Sequence, residues 1–216
     1  MIGFVLKHFR EHRKMTKSDL AEGICSEKHI YLIESDKRNP SMDLLIQLGK
    51  RLGVDLFSYA PYLNCRNPIA VKLYLDEFNK LRLNNRYDLL NEISDRARAI
   101  PDFGQLPWKI EIHINEMLHK LLIEKDFFGV TMDINKTLKS YKMQMSSEHK
   151  TVLYLTLSIA YQGLNKPHDS RIALKNSAAW LSMTQFNSRY IEYTISIKLN
   201  ELSLESLCRN YEAVCE

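Results

Sequence analysis

TKSDLAEGICSEKHIYLIESDKRNPS, residues 16–41, decides the fold. Thr16 stands where an N-cap belongs, with Asp19 three residues on as a carboxylate near the helix N-terminus. Leu20 and Ala21 face inward, and Ala21 is small where two helices cross closely. Gly23-Ile24-Cys25 makes a turn with Ile24 as its buried plug. Ser26 N-caps a second short helix, Glu27 to Glu34, whose inward residues are Ile30 and Ile33. Its outward residues are Glu27, Lys28, His29, Tyr31 and Leu32. Asp36-Lys37-Arg38-Asn39-Pro40 is a turn-rich loop that ends at another capping residue, Ser41.

The flanks continue the pattern. Residues 3–14 predict a helix with Leu6 and Phe9 on its apolar face and Val5 extending it. Met15 closes that helix against the core. After Ser41, Leu44, Leu45, Leu48 and Leu52 form an inner stripe, and Gly53 sits where a helix C-terminus favours left-handed backbone. Asp55 caps a short fifth helix through Leu56, Phe57 and Tyr59, which Pro61 ends.

Composition bounds the function classes. The 216 residues suffice for one or two domains with a real core. Seven Gly and six Pro favour helices over a turn-rich β fold. The net charge is only +4, and residues 1–60 hold ten Lys/Arg against eight Asp/Glu, so nucleic-acid affinity depends on local placement of charge. Cys25, Cys65, Cys208 and Cys215 lack zinc spacing, and reduced thiols in a cytoplasm are expected. Neither a signal peptide nor a membrane span is expected, so the chain reads as cytoplasmic with no membrane partner.

The spacing of Gly3, Leu6, Phe9-Arg10, Met15-Thr16, Leu20-Ala21, Ser26, Ile30, Ile33-Glu34 and Asn39-Pro40-Ser41 resembles the Cro/C1-type (XRE) helix-turn-helix domain over about residues 3–60. Ala21–Ser26 is one residue shorter than the common turn, and this form with Ile-Cys looks like the Rgg/PlcR (RRNPP) peptide-responsive regulators. The resemblance implies DNA binding by the Glu27–Glu34 helix, because an α-helix fits the major groove and presents its N-terminal side chains to base edges. Lys28 can donate to guanine, and His29 can donate or accept. Glu27 either accepts from a cytosine amino group or serves as a helix-N-terminal carboxylate. Tyr31 and Leu32 either touch a thymine methyl or seal the domain edge. Lys17, Lys37 and Arg38 are placed for phosphates, and against all these contacts stands the ordinary solvated side chain. Arg10 and Glu34 match paired positions and imply a structural salt bridge.

Residues 62–216 predict antiparallel helix pairs, 68–83 with 87–100, 106–125 with 127–143 and 147–164 with 168–184. A last helix over about 188–205 and a short tail helix to Glu216 follow. A unit of about 40 residues suggests a solenoid. Ala160-Tyr161, Leu164-Asn165-Lys166-Pro167, Ala173 and Ala178 resemble one tetratricopeptide-like repeat. The expected fold is therefore all-α, a five-helix domain at 1–61 and a right-handed TPR-like repeat domain at 62–216. Such a chain resembles Rgg/PlcR regulators that are longer by one to two helix pairs. Glu111, Asn115 and His119, then Tyr154, Ser158 and Tyr161, then Tyr193, Ser196 and Asn200 form stripes for an extended peptide, or else ordinary packing surfaces.

No catalytic motif is present: no Walker A loop, no Rossmann glycine run, no GxSxG elbow. His113 and His119 around Glu116 diverge by about 120° on a helix and lack the HExxH spacing, so neither metal nor cofactor is expected. The resulting expectation is a homodimeric regulator of operator DNA controlled by a short signalling peptide. A peptide-independent phage-type or antitoxin-like repressor is the alternative, and a scaffold without DNA affinity is another.

Overall fold

The computed structural model describes residues 2–186 and 188–215, with side chains at 188 and from 209 onward left aside. The chain divides into two compact units, Met1–Asp76 and Glu77–Glu216. The helices are α1 (Ile2–His12), α2 (Lys17–Ala21), α3 (Glu27–Glu34), α4 (Met42–Leu52), α5 (Pro68–Leu83), α6 (Leu90–Arg98), α7 (Trp108–His119), α8 (Phe127–Tyr141), α9 (Ser147–Gly163), α10 (Pro167–Leu181) and α11 (Ser188–Cys215). No strand occurs among the described residues.

The first unit closes around Val5, Leu6, Leu20, Ala21, Ile30, Ile33, Leu44, Leu48, Leu52, Leu56 and Tyr59. Phe9 lies only half-buried beside this cluster, its ring edge-on to Tyr59 at 5.6 Å. Gly3 permits the tight approach of α1 to α3, since a Cβ there would lie 2.0 Å from the Ile33 carbonyl oxygen. Gly53 ends α4 at φ 68°, the left-handed cap its position predicts. The fifth helix is a 3-10 helix over Leu56–Tyr62, and Pro61 lies inside it rather than ending it.

In the second unit α6 packs on α7, α8 on α9, α9 on α10 and α10 on α11, while α7 and α11 also pack on α9. That is the neighbour pattern of stacked helix pairs. The turns closing α5, the α7 region and α9 place Asn85, Lys125 and Asn165 in left-handed backbone, a conformation that Asn tolerates well. A π-helical turn at Lys120–Glu124 extends α7 to Lys125. The expected break near residue 205 is absent, and α11 runs unbroken from Ser188 to Cys215. No Gly or Pro falls in that span to interrupt it.

Helix α9 is the centre of this unit. Its Val152, Leu153, Leu157 and Ala160 join Ile110, Ile114, Met117, Leu121, Val130, Ile134, Met145 and Ala173 in one core. Beside that core lies a buried charged cluster. Arg82 Nη2 donates to Glu111 Oε2 at 3.0 Å, and Arg82 Nε donates to Asn115 Oδ1 at 3.0 Å. Asn115 Nδ2 donates onward to Ser94 Oγ at 3.1 Å, and His149 Nε2 meets Glu111 Oε1 at 3.1 Å. Burial opposes ionisation of Glu111, but the Arg82 charge and the His149 hydrogen bond outweigh it and hold the carboxyl well below the usual carboxylate range.

A depressed carboxylate pKa contributes stability above the unfolded value and loses it as pH falls. Glu111→Gln is therefore expected to cost about 3 kcal/mol at pH 7, because it leaves Arg82 short of its counter-charge. The gap to the parent protein should narrow by about 2 kcal/mol by pH 3, since the unfolded carboxyl protonates near pH 4.3. Urea unfolding at the two pH values measures it, and a gap equal at both would contradict the assignment.

Candidate nucleic-acid interface

Two short helices and the turn between them form the candidate interface. Neither α2, with five residues, nor α3, with eight, is stable alone. Their ends are fixed locally by caps. Thr16 Oγ1 accepts from the Asp19 N–H at 3.0 Å, and Asp19 Oδ2 accepts from the Thr16 N–H at 2.7 Å, a reciprocal capping box. The Thr16 hydrogen bonds hold the Asp19 carboxyl below its ordinary value. Ser26 Oγ accepts from the His29 N–H at 3.2 Å. In the turn, the Ile24 and Cys25 N–H groups both donate to the Ala21 carbonyl at 2.9 Å, and Gly23 adopts φ 67°. Ile24 is half-buried against the core. Cys25 packs beside that core, and burial pushes its thiol up.

Tertiary contacts then lock the pair in place. Arg10 Nε donates to Glu34 Oε1 at 2.6 Å and Arg10 Nη2 to Glu34 Oε2 at 3.0 Å, a two-pronged pair with side chains 9% and 4% exposed. Arg10 Nη1 also donates to the Met15 carbonyl at 2.9 Å. The Glu34 carboxylate raises the Arg10 pKa further through that hydrogen bond. Arg51, on α4, is a residue that the sequence did not single out. Its Nη1 donates to the carbonyls of Asp19 and Leu20 at 3.2 Å each and also to that of Glu22. These are the free carbonyls at the C-terminal end of α2. Arg13 does the same for α4, with Nε on the Leu52 carbonyl at 3.0 Å. A surface arginine late in a helix carries no local signal for such a role.

The outward face of α3 presents Glu27, Lys28 and Tyr31, all exposed. Lys37 and Arg38 are exposed beyond it, and the Lys37 ammonium lies 5.9 Å from the Tyr31 ring centroid. Lys17 is half-buried at the first position of α2, and Leu32 is half-buried. His29 departs from expectation. Its Nε2 is enclosed and has no hydrogen-bond partner, so this nitrogen does not face a groove.

The residues assigned to a peptide groove divide into two groups. Glu111 and Asn115 are spent on the Arg82 cluster, and Ser158 is fully buried with Oγ 2.8 Å from Ser170 Oγ. These three have no free polar surface, because α5, α9 and α10 pack over them. His119 meets the Tyr87 carbonyl at 2.9 Å through Nδ1, Tyr193 donates to Glu148 at 3.5 Å, and Asn200 accepts from Gln162 at 3.3 Å. Tyr154, Tyr161, Tyr193 and Asn200 are half-buried. Burial chiefly, with Glu148 adding, pushes the Tyr193 phenol well above its usual value.

Among the described residues no group of three or more His, Cys, Asp or Glu gathers to hold a metal, and no helix is long and apolar enough to cross a membrane. Cys25, Cys65 and Cys208 form no disulfide among the described residues, and the Cys215 side chain lies outside them.

Residues 6–58 match the helix-turn-helix family. The fold is also that of a solved structure. It superposes on Bacillus thuringiensis PlcR, solved in complex with the peptide PapR7 and DNA, with a TM-score of 0.71 at 17% identity, covering 98% of this chain and 75% of that one. ComR from S. thermophilus, solved with DNA and its signalling peptide ComS, gives a TM-score of 0.36 at 17% identity, covering 97% and 87%. A mutant of PrgX gives 0.33 at 20% identity, covering 96% and 82%. The fold assignment rests on the first of these. Among curated proteins none matches the sequence.

Removing one partner of the Arg10–Glu34 pair strands a buried charge. Arg10→Ala is expected to cost about 3–5 kcal/mol, and the double change Arg10→Met with Glu34→Leu much less. Hydrogen exchange of the amides in residues 17–34 reads the difference. Equal protection in the single and double variants would refute the pair's role.

Proposed function

We propose that this chain is a sequence-specific, dimeric DNA-binding transcription regulator controlled by a short peptide, a PlcR-like protein. The observation that carries the reading is the α3 face. Glu27, Lys28 and Tyr31 project from a capped, arginine-braced helix inside a matched helix-turn-helix domain. Lys28 is assigned to base edges, and Lys17, Lys37 and Arg38 to phosphates on either side. Lys17 sits at a helix N-terminus, where backbone N–H groups add to the attraction for phosphate. With so few cationic contacts per chain, a two-fold dimer doubles them and reads two half-sites about 34 Å apart or a multiple of it.

DNA binding is assigned to residues 1–61 and dimerisation with ligand binding to residues 62–216. A peptide acts here by binding the DNA-competent arrangement with a different affinity from the other. The support for a peptide is the whole-chain likeness to PlcR, which was solved with one. Tyr154, Tyr161, Tyr193 and Asn200 are the contacts proposed for it. A second reading has its own support. The burial of Glu111, Asn115 and Ser158 removes polar groups that a peptide clamp would use, and this favours a repressor whose repeats serve dimerisation or a protein partner.

Two substitutions separate the assigned roles on a fragment of the chain's own promoter. Lys28→Ala should cost about 1–3 kcal/mol and relax selectivity at one base position. Arg38→Ala should weaken binding to all sequences alike and lower the slope of log K against log salt by about 1. Fluorescence anisotropy over a salt series measures both. Binding unchanged by either variant would overturn the interface.

A further inference from the structure

We propose that a cavity in the second unit is a ligand site for a small organic phosphate of nucleotide size. The cavity measures about 320 Å³ and is lined by Leu138, Lys139, Lys142, Lys150, Tyr154 and Trp180. It lies where the end of α8, the start of α9 and the end of α10 meet, and its volume falls in the range of small-molecule sites.

The charge of the lining is one-sided. Three lysines line the cavity and no acidic residue does. Elsewhere in the unit several cations are neutralised by carboxylates, while others, such as Lys136, Lys166 and Lys175, stand outside any ion pair among the described residues but do not line this cavity. Arg82 is paired with Glu111, Arg86 with Asp88, Arg96 with Glu92, Arg98 with Asp95 and Glu116, Lys120 with Asp133, and Arg189 with Glu148. Among the described residues Lys139, Lys142 and Lys150 make no ion pair. Three unpaired charges around one concavity focus a positive potential on it.

The side-chain types narrow the ligand. A carboxylate is best held by the planar fork of arginine, and none lines this cavity. Three lysines lining one cavity suit the several oxygens of a phosphate, which takes point charges. The Lys150 ammonium is held 4.0 Å from the Trp180 ring centroid, which limits its wandering and keeps it at the cavity wall. Tyr154 supplies a hydroxyl donor and acceptor at the same wall. Leu138 with the two aromatic rings supplies apolar surface for a ring attached to the phosphate. The site uses none of the α3 residues, and it shares Tyr154 with the contacts proposed for a peptide, so a peptide on that side chain would compete with the phosphate ligand.

ADP, AMP, pyrophosphate and a hexaglutamate peptide serve as probes of the full chain carrying Trp108→Phe, so that emission reports Trp180 alone. ADP should change that emission saturably at sub-millimolar concentration, with pyrophosphate at least about tenfold weaker for want of a ring. Calorimetry with Lys139→Ala/Lys142→Ala, two exposed positions that leave the core untouched, should show ADP affinity reduced at least about tenfold, with unchanged helical circular dichroism. The proposal is overturned if ADP and AMP give no saturable signal up to roughly 5 mM, if pyrophosphate equals ADP, if hexaglutamate binds more tightly than either nucleotide, or if the lysine variant binds ADP as the parent does.

Discussion

Arg10 on the first helix holds Glu34 at the end of the third with two hydrogen bonds, and a third bond reaches the Met15 carbonyl. The presentation of α3 depends on this clamp. An eight-residue helix contributes too few internal hydrogen bonds to fix its own direction. Its direction comes from what grips its ends. Ser26 grips the N-terminus, and Arg10 grips the C-terminal carboxylate. The contact also explains Gly3, because α1 can bring Arg10 to Glu34 only if its backbone lies against the Ile33 carbonyl. Arg51 completes the frame from α4 by collecting the carbonyls that five-residue α2 leaves unpaired. Arginine suits all of this, since its rigid fork loses little freedom for each hydrogen bond formed.

The second unit uses the same chemistry for another end. Arg82, Glu111, Asn115, Ser94 and His149 bury charge and polarity among α5, α6, α7 and α9. A buried ion pair adds little net stability over an apolar filling, yet removing one member is costly. The helix face that carries Glu111 and Asn115 is thereby committed to internal bonding. What is left for ligands on the residues discussed is the half-buried tyrosines with Asn200 and the lysine-lined cavity beside α9, which share Tyr154.

Local features were legible in the sequence and tertiary ones were not. Thr16, Ser26 and Ser41 were readable as caps because each acts on an N–H three residues away. Gly53 was readable for a similar reason, and the core residues Leu20, Ile30, Leu44, Leu48 and Leu52 follow from helical period. Arg10 with Glu34 came from resemblance to a family, not from spacing. Arg51 left no trace because its three acceptors lie 29 to 32 residues away. The stripe of Glu111 and Asn115 was correctly placed on one face, but a periodic pattern cannot say whether water or Arg82 meets that face. For His29 the spacing likewise cannot say that Nε2 is enclosed, since helical period does not fix the rotamer. The unbroken α11 shows the converse, that a lack of breakers in the sequence outweighs an expected boundary.

In the proposed complex α3 of two copies reads DNA in the major groove. Hydroxyl-radical footprinting of the full chain on DNA upstream of its own gene tests it directly. That arrangement predicts two protected patches on one face of the duplex, with centres about 10 base pairs apart or a multiple of that. Uniform cleavage at saturating protein, or protection without a two-fold pattern, would contradict it.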